Sequence, residues 1–456
     1  MEELGTVQAK IISREIIKPS CPTPPHLRNY KLSSLDQLTN RNYIPRVLFY
    51  SNNINYCDSP HNTTANNKSH QLKKSLSETL TLYYPFAGIL KGDGISVDCN
   101  DEGVDFLEAQ IHCQLSDILK PPKLEALHLV LPSGLLLGNN SYKGGSLVVI
   151  QFSHFTCGGM AIGMCMSHKI ADGCNMGTFL NDWAAMARQS IVLSPHFITV
   201  SAMSSVPPPG DPFIVPEVEI GKEARVTRRF VFEPSKLAEL KAMITSESAE
   251  IENPTRVEAV TALLYKCAMT ASKANSVPFT LRSSILSQLL NMRPKMVPPL
   301  QENSVGNLVW YFTISVTDEK DVNLHGLVGQ LRKNRTEFYN KYAKNVTVNE
   351  WFIVSRKLLR DLKELFESNN STNNVDFYVS SSMCRFPFYK VDFGWGKPIW
   401  VSTAGGNVFE NKFVLMDSNR EGGIEAWVSL GEMEMRAFER DEELLSFAQF
   451  NPSVLD

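Results

Sequence analysis

The chain has 456 residues, 43% of them hydrophobic and 20% charged, with a formal net charge of −3. That composition excludes a disordered or fibrous chain, and the slight acidity leaves no basic stripe for nucleic acid or an anionic membrane surface. The length exceeds one ordinary core and suits two or three domains.

The first twenty residues, MEELGTVQAKIISREIIKPS, are acidic where a secretory signal is basic. No apolar run reaches the roughly 20 residues of a membrane span, so a soluble, cytoplasmic protein is expected. The N-x-S/T triplets at Asn62 and Asn334 then read as chance matches. Nine scattered cysteines without a CxxC pair describe reduced thiols rather than a disulfide frame or a zinc site.

Over 69–83, Leu72, Leu76 and Leu80 recur at four-residue steps behind Ser69 as a candidate cap. This predicts an amphipathic helix, broken by Pro85 and Gly88. Residues 146–155, SLVVIQFSHF, predict a strand, TCGG at 156–159 a turn, and MAIGMCMSH a second strand that delivers His168 at its end. Met176, Phe179, Leu180, Trp183 and Ala187 follow at helical spacing, with Asn175 as candidate cap. Between about 189 and 225, Pro207, Pro208, Pro209, Pro212 and Pro216 rule out regular ladders and suggest an extended crossover.

The second half opens on a strand, VTRRFVFE, and a helix from Ser235 with Leu237, Leu240 and Ile244 on one face. Thr255 and Glu258 have capping-box spacing ahead of another helix. KFVLMDSNREGGIEAWVSL predicts two strands joined at Gly422–Gly423, before a final helix. The class is therefore α/β with α+β mixing, and no internal repeat is visible.

His168, Asp172 and Gly173 stand where a buried strand gives way to a turn, a place that holds a reactive side chain on a rigid support. Alone, HxxxD fits a structural histidine as well as a catalytic one. There is no second donor set at metal-ligand spacing and no G-x-S-x-G elbow. Farther on stands DFGWG, Asp392 to Gly396. A kinase DFG is excluded, because the chain lacks the H-R-D loop, the glycine-rich loop and the V-A-I-K strand. Gly394 and Gly396 suit a tight turn around an aromatic plug.

Together the two motifs resemble those of the plant BAHD acyltransferases, as His168-Lys169-Ile170-Ala171-Asp172-Gly173 and Asp392-Phe393-Gly394-Trp395-Gly396. Agreement extends to SLDQL (34–38), YYPFAG (83–88), VDCNDEGVDFLEA (97–109), NMRPKM (291–296) and VGN (305–307). The resemblance implies two domains of the chloramphenicol-acetyltransferase kind with a channel between them. Residues 1–190 would carry HxxxDG, 191–225 the Pro-rich crossover, and 226–456 DFGWG.

The implied activity is acyl-CoA-dependent O-acylation, with acetyl-CoA as co-substrate and a hydroxyl of a bulky terpenoid or alkaloid as acceptor. No permanently bound cofactor, metal, nucleic acid or membrane is expected, and relatives of this kind are usually monomers. An alcohol is almost wholly protonated at neutral pH, so its proton must leave as the new bond forms. A histidine is matched to that task, and His168 is expected to act as general base in a ternary complex.

The resemblance further implies that Asp172 turns away from the channel to pair with Arg293, and that Gly173 allows tight packing. Asp392 is a catalytic candidate or, with Gly394, Trp395 and Gly396, shapes the coenzyme A side. Ser380, Ser381 and Ser382 are candidates for the pantetheine arm. Cys157, Cys165 and Cys174 read as small residues rather than nucleophiles. The same motifs admit amide formation, a longer acyl donor, or a non-catalytic ligand-binding relative.

Overall fold

His168 owes its position to one strand, Met160–Ser167, buried along its whole length at the centre of a six-stranded sheet. In this computed structural model the described residues are 8–39, 41–52, 65–132, 145–198, 225–247, 251–275, 282–344, 354, 357, 375–403 and 411–455. The sheet runs Ala9–Ile17, Val104–Ile111, Val148–Phe155, Met160–Ser167, Tyr43–Tyr50 and Trp400–Ser402. Its pairs are antiparallel except Val104–Ile111 with Val148–Phe155. Covered on both faces, the central strand carries no polar–apolar alternation, as its sequence MAIGMCMS records. Gly163 is obligatory there, because a Cβ would lie 1.9 Å from the Val130 carbonyl oxygen.

Helices Ala65–Leu82 and Gly173–Ala187 pack together beside this sheet. Leu72, Leu76 and Leu80 are fully buried, and Trp183 Nε1 donates to the Leu72 carbonyl at 3.1 Å. Two expected caps move. The first helix begins at Ala65, so Ser69 lies inside it and is buried. The second is capped by Asp172, whose Oδ1 accepts from Asn175 N–H at 3.0 Å, rather than by Asn175. A carboxylate accepts the free N–H groups of a first turn and also suits the positive end of the helix.

A seven-stranded sheet follows in the order Val309–Val316, Ser283–Asn291, Val375–Ser382, Asn411–Asp417, Ile424–Leu430, Val226–Phe232 and Gln449–Phe450. One face carries helices Pro234–Glu247, Arg256–Ala274 and Leu324–Phe338 on a second core. The Thr255–Glu258 capping box is present, with Glu258 N–H on Thr255 Oγ1 at 3.1 Å and Thr255 N–H on Glu258 Oε2 at 2.9 Å. The expected final helix is two short ones, Glu432–Phe438 and Glu442–Phe447.

The sheets do not divide as cleanly as a cut near 225 suggests. Trp400–Ser402, from the C-terminal half, pairs with Val47–Phe49 and closes the edge of the first sheet. Phe388, Val391 and Phe393 are buried in the first core. Phe197, from within the expected crossover, and Val305 pair in a two-stranded ribbon. The prolines at 207–216 lie outside the described residues, as does Asn62. Asn334 Nδ2 donates to the Thr313 carbonyl at 2.8 Å, a side chain committed to internal packing. Among the described residues no helix is long and apolar enough to cross a membrane.

Candidate active site

His168 follows its strand directly and is pinned by its own backbone N–H, which donates to the Asn42 carbonyl at 2.8 Å. Its ring is partly exposed, and Nδ1 lies 2.8 Å from Asn307 Oδ1, across the junction between the two sheets. The Asn307 amide has one sensible orientation. Its Nδ2 donates to Asp36 Oδ1 at 2.9 Å and to the His168 carbonyl at 2.6 Å, both pure acceptors. Oδ1 therefore faces the imidazole, so Nδ1 carries the proton and Nε2 keeps its lone pair. This is the tautomer a general base needs.

Asp36 anchors the arrangement from the helix Ser34–Leu38. Its Oδ1 also accepts from Asn307 N–H at 2.7 Å, and its Oδ2 accepts from Ser33 N–H at 3.0 Å and Ser33 Oγ at 2.6 Å. Burial raises its pKa, and the donors of Ser33 and Asn307 oppose that rise. Lys169, next to His168, donates through Nζ to the Gln37 carbonyl at 2.7 Å and the Asp36 carbonyl at 3.3 Å. Burial pulls its ammonium down to about 8. The strand end bearing the histidine and the short helix bearing Asp36 are thus tied twice.

Burial also pushes the His168 pKa below its ordinary value. Asp172 and the Asn307 bond work against that fall, and the charge of Lys412 adds to it. A depressed pKa keeps the imidazole neutral, hence basic, at physiological pH.

Asp172 makes no hydrogen bond to His168. Its Oδ2 accepts from Arg293 Nη1 at 2.8 Å and Leu308 N–H at 3.1 Å, while its Oδ1 accepts from Arg293 Nη2 at 3.2 Å and Asn175 N–H. Arg293 spends its other protons on Asn175 Oδ1, on Asn291 Oδ1 and on the carbonyls of Ser304 and Gly306. Both side chains are 1% exposed. Burial disfavours the guanidinium most strongly, but the charges of Asp172, Cys174 and Asp36 and the hydrogen bonding to Asp172 together outweigh it, so its pKa is raised. The network clamps the loop 304–308, which presents Asn307, onto the helix start that follows His168. Gly173 shows no steric demand here, since a Cβ would meet Phe386 and Met383 at ordinary contact distances of 3.5 to 3.7 Å.

DFGWG forms a turn on the first domain. Asp392 Oδ1 accepts from Gly394 N–H at 2.8 Å and Gly396 N–H at 3.0 Å, and both glycines have φ above +100°. Phe393 packs edge-on to Trp183 and stacks on Trp395, while Gln71 Nε2 donates to the Phe393 carbonyl at 3.0 Å. A cavity of about 260 Å³ lies beside the turn, lined by Tyr50, Asp392, Trp395 and Lys397 among others, with His168 not in its wall. Asp392 is a turn-forming carboxylate in this geometry, not one facing the imidazole.

The three serines divide by strand alternation. Ser380 is fully buried, level with Phe413 on the helix-covered face, so it cannot touch a ligand at the junction. Ser382 shares that parity, and its Oγ accepts from Cys384 N–H at 3.3 Å. Ser381, level with Val414, is the one turned toward the first domain. Burial pushes the Cys165 and Cys174 thiols up to about 12 and about 11, which leaves them without thiolate character. Cys157 is exposed, and its Sγ accepts from Leu115 N–H at 3.4 Å.

Asn307 and Asp36 are the functional residues that the motifs did not single out, although SLDQL and VGN contain them. Asn307→Ala is expected to lower kcat about 10- to 100-fold with little change in KM for the acyl donor, by analogy with residues that orient metal-bound histidines. Steady-state kinetics beside a circular dichroism spectrum checks this; an unchanged kcat would show that the tautomer needs no help from Asn307.

The Transferase family pattern matches residues 7–445. A 17,18-epoxy-17-hydroxycur-19-ene N-malonyltransferase from Strychnos nux-vomica is 39% identical over 452 residues, covering 98% of this chain and 91% of the relative. An epi-neemfruitin B 7-O-acetyltransferase from Melia azedarach is 38% identical over 473 residues, covering 98% and 100%. The crystal structure of vinorine synthase superposes with a TM-score of 0.81 at 34% identity, covering 97% of this chain and 99% of that one.

Proposed function

The chain belongs to the Transferase family of plant BAHD acyltransferases and is an acyl-CoA-dependent acyltransferase, and from that premise we propose that His168 activates a hydroxyl of a bulky plant metabolite for direct acylation. The observation that carries the reading is the fixed tautomer of His168, which leaves Nε2 as the free base.

In the proposed step the acceptor hydroxyl gives its proton to Nε2 as its oxygen attacks the thioester carbon. The tetrahedral intermediate collapses with loss of the coenzyme A thiolate, which takes the proton back from the imidazolium. A thiolate leaves far more readily than an alkoxide, so the site must raise nucleophilicity rather than assist departure. Asp172 and Arg293 serve by holding the backbone that aims His168 and Asn307. Asp392 and its glycines serve by shaping the turn. Acetyl-CoA is the proposed donor and an alkaloid or terpenoid alcohol the acceptor, with the enzyme acting as a monomer. The named relatives transfer acetyl to oxygen and malonyl to nitrogen, so donor and acceptor choice on this scaffold rests on side chains around a common centre.

The test is coenzyme A release from acetyl-CoA against a panel of alkaloid and terpenoid alcohols, with intact-protein mass spectrometry alongside. One ester formed per coenzyme A released, with no acetylated protein when the acceptor is withheld, is the expected result. A stable acetyl-enzyme at a cysteine or serine would sink the ternary-complex mechanism.

A further inference from the structure

We propose that Lys169 is a positioning residue for the reaction: its ammonium holds the end of the helix Ser34–Leu38, so that Asp36 keeps Asn307 turned with Oδ1 toward His168 Nδ1. The inference rests on His168 as the base and deepens that reading by naming what keeps the lone pair on Nε2.

The contacts close a ring. Lys169 follows His168 in the chain, is buried, and donates through Nζ to the Gln37 carbonyl at 2.7 Å and the Asp36 carbonyl at 3.3 Å. Asp36 Oδ1 then takes two donors from Asn307, the backbone N–H at 2.7 Å and Nδ2 at 2.9 Å. Asn307 returns to the start, with Oδ1 on the imidazole and Nδ2 on the His168 carbonyl. Every step is a direct hydrogen bond or the peptide bond between His168 and Lys169. The orientation of the Asn307 amide is therefore set by where Asp36 stands relative to the histidine.

The helix has separate fastenings for its shape and for its place. Its first turn is formed by the capping box of Ser33 and Asp36, and Leu35 is buried in the second core. Neither contact refers to the strand Met160–Ser167, which belongs to the first sheet. The last carbonyls of a helix lack partners within it, and a lysine answers them in both geometry and charge. Lys169 thus joins an element of one core to the strand end of the other. Its removal leaves the helix formed and lets Asp36 drift against His168.

The ammonium is not aimed at the reacting ring. A cation directed at the imidazole would oppose the proton that the base has to accept. Nζ is instead turned onto the two carbonyls, and the charge of Asp36 favours its protonated form. Burying an ammonium is unfavourable unless its donors are met, and these groups meet them.

The experiment has a kinetic and a spectroscopic arm. The first is a double-mutant cycle on Lys169→Met, Asn307→Ala and the pair, reading kcat for coenzyme A release from acetyl-CoA, with a melting curve for each. Lys169→Met is expected to lower kcat about 10-fold with little change in KM for the acyl donor, since small misplacements of a reacting group are felt in rate. In the Asn307→Ala background the same change should add less than about a twofold loss. Losses that multiply in full overturn the proposal, because a lysine of merely structural value acts alike in both backgrounds. Lys169→Gln, which keeps an N–H donor, enters the same cycle should Lys169→Met fail to fold.

Nitrogen NMR of histidine-labelled enzyme reads the tautomer with no substrate present, the His168 signals being assigned by their loss in His168→Ala. A proton fixed on Nδ1 in wild type and shared between both nitrogens in the Lys169 variant is the expected result. An unchanged tautomer overturns the inference. Because this arm needs no turnover, failure of the acyl-transfer reading leaves its outcome untouched, and the two can be told apart.

Discussion

Replacing His168 with alanine is expected to lower kcat about 10²- to 10⁴-fold while the protein remains folded. The fold survives because the ring is partly exposed, and the backbone bond of residue 168 to Asn42 needs no side chain. The loss falls on kcat because the imidazole is needed when the hydroxyl proton leaves, not when acyl-CoA docks. A pH profile of the wild type gives an independent check. The active form is the neutral ring, so the rate falls as pH drops through the His168 pKa. Burial places that pKa below its usual value, hence the acid limb should lie below the roughly 6.5 of a free imidazole. Full activity in His168→Ala would remove the histidine from the mechanism. An acid limb above 6.5 would mean that the environment around the ring has been misjudged.

The parts of the fold set by local pattern were readable from the chain. The leucine stripe of Leu72, Leu76 and Leu80, the Thr255–Glu258 box and the Gly422–Gly423 turn all carry their information within a few residues. So did the placement of His168, because a run as apolar as MAIGMCMS has to be a central strand. What sequence could not give was set by distance along the chain. Asn307 lies 139 residues from His168, and Asp36 lies 271 residues from Asn307, so no spacing rule connects them. Ser380 shows the opposite failure. It stands beside Ser381, but a strand turns alternate residues to opposite faces, and only its register with Phe413 reveals which way it points. Trp400–Ser402 completes the sheet of the other half for a similar reason, since nothing in three residues states which edge they will join.

Arg293→Met is expected to destabilise the enzyme by about 3–5 kcal/mol, the cost of stranding a buried carboxylate without its counter-charge. Asp172 would then keep only the N–H groups of Asn175 and Leu308. The Gly306 carbonyl would lose its Arg293 donor and the Ser304 carbonyl would keep only Asn175 Nδ2, which loosens the loop carrying Asn307. Asp172→Asn strands the guanidinium instead, although asparagine remains a good helix cap and softens the effect. The double variant separates the two accounts of Asp172. If the aspartate supports the loop through Arg293, combining both changes removes both charges together, and the double variant is more stable than the sum of the single losses predicts. Its kcat should then recover relative to Arg293→Met as the loop re-forms. If Asp172 instead moved protons, every variant lacking its carboxylate would lose turnover however well it folded. Denaturant unfolding measured beside kcat on the three variants decides between them. The four donors already crowded on Asp172, none of them from His168, favour the supporting role.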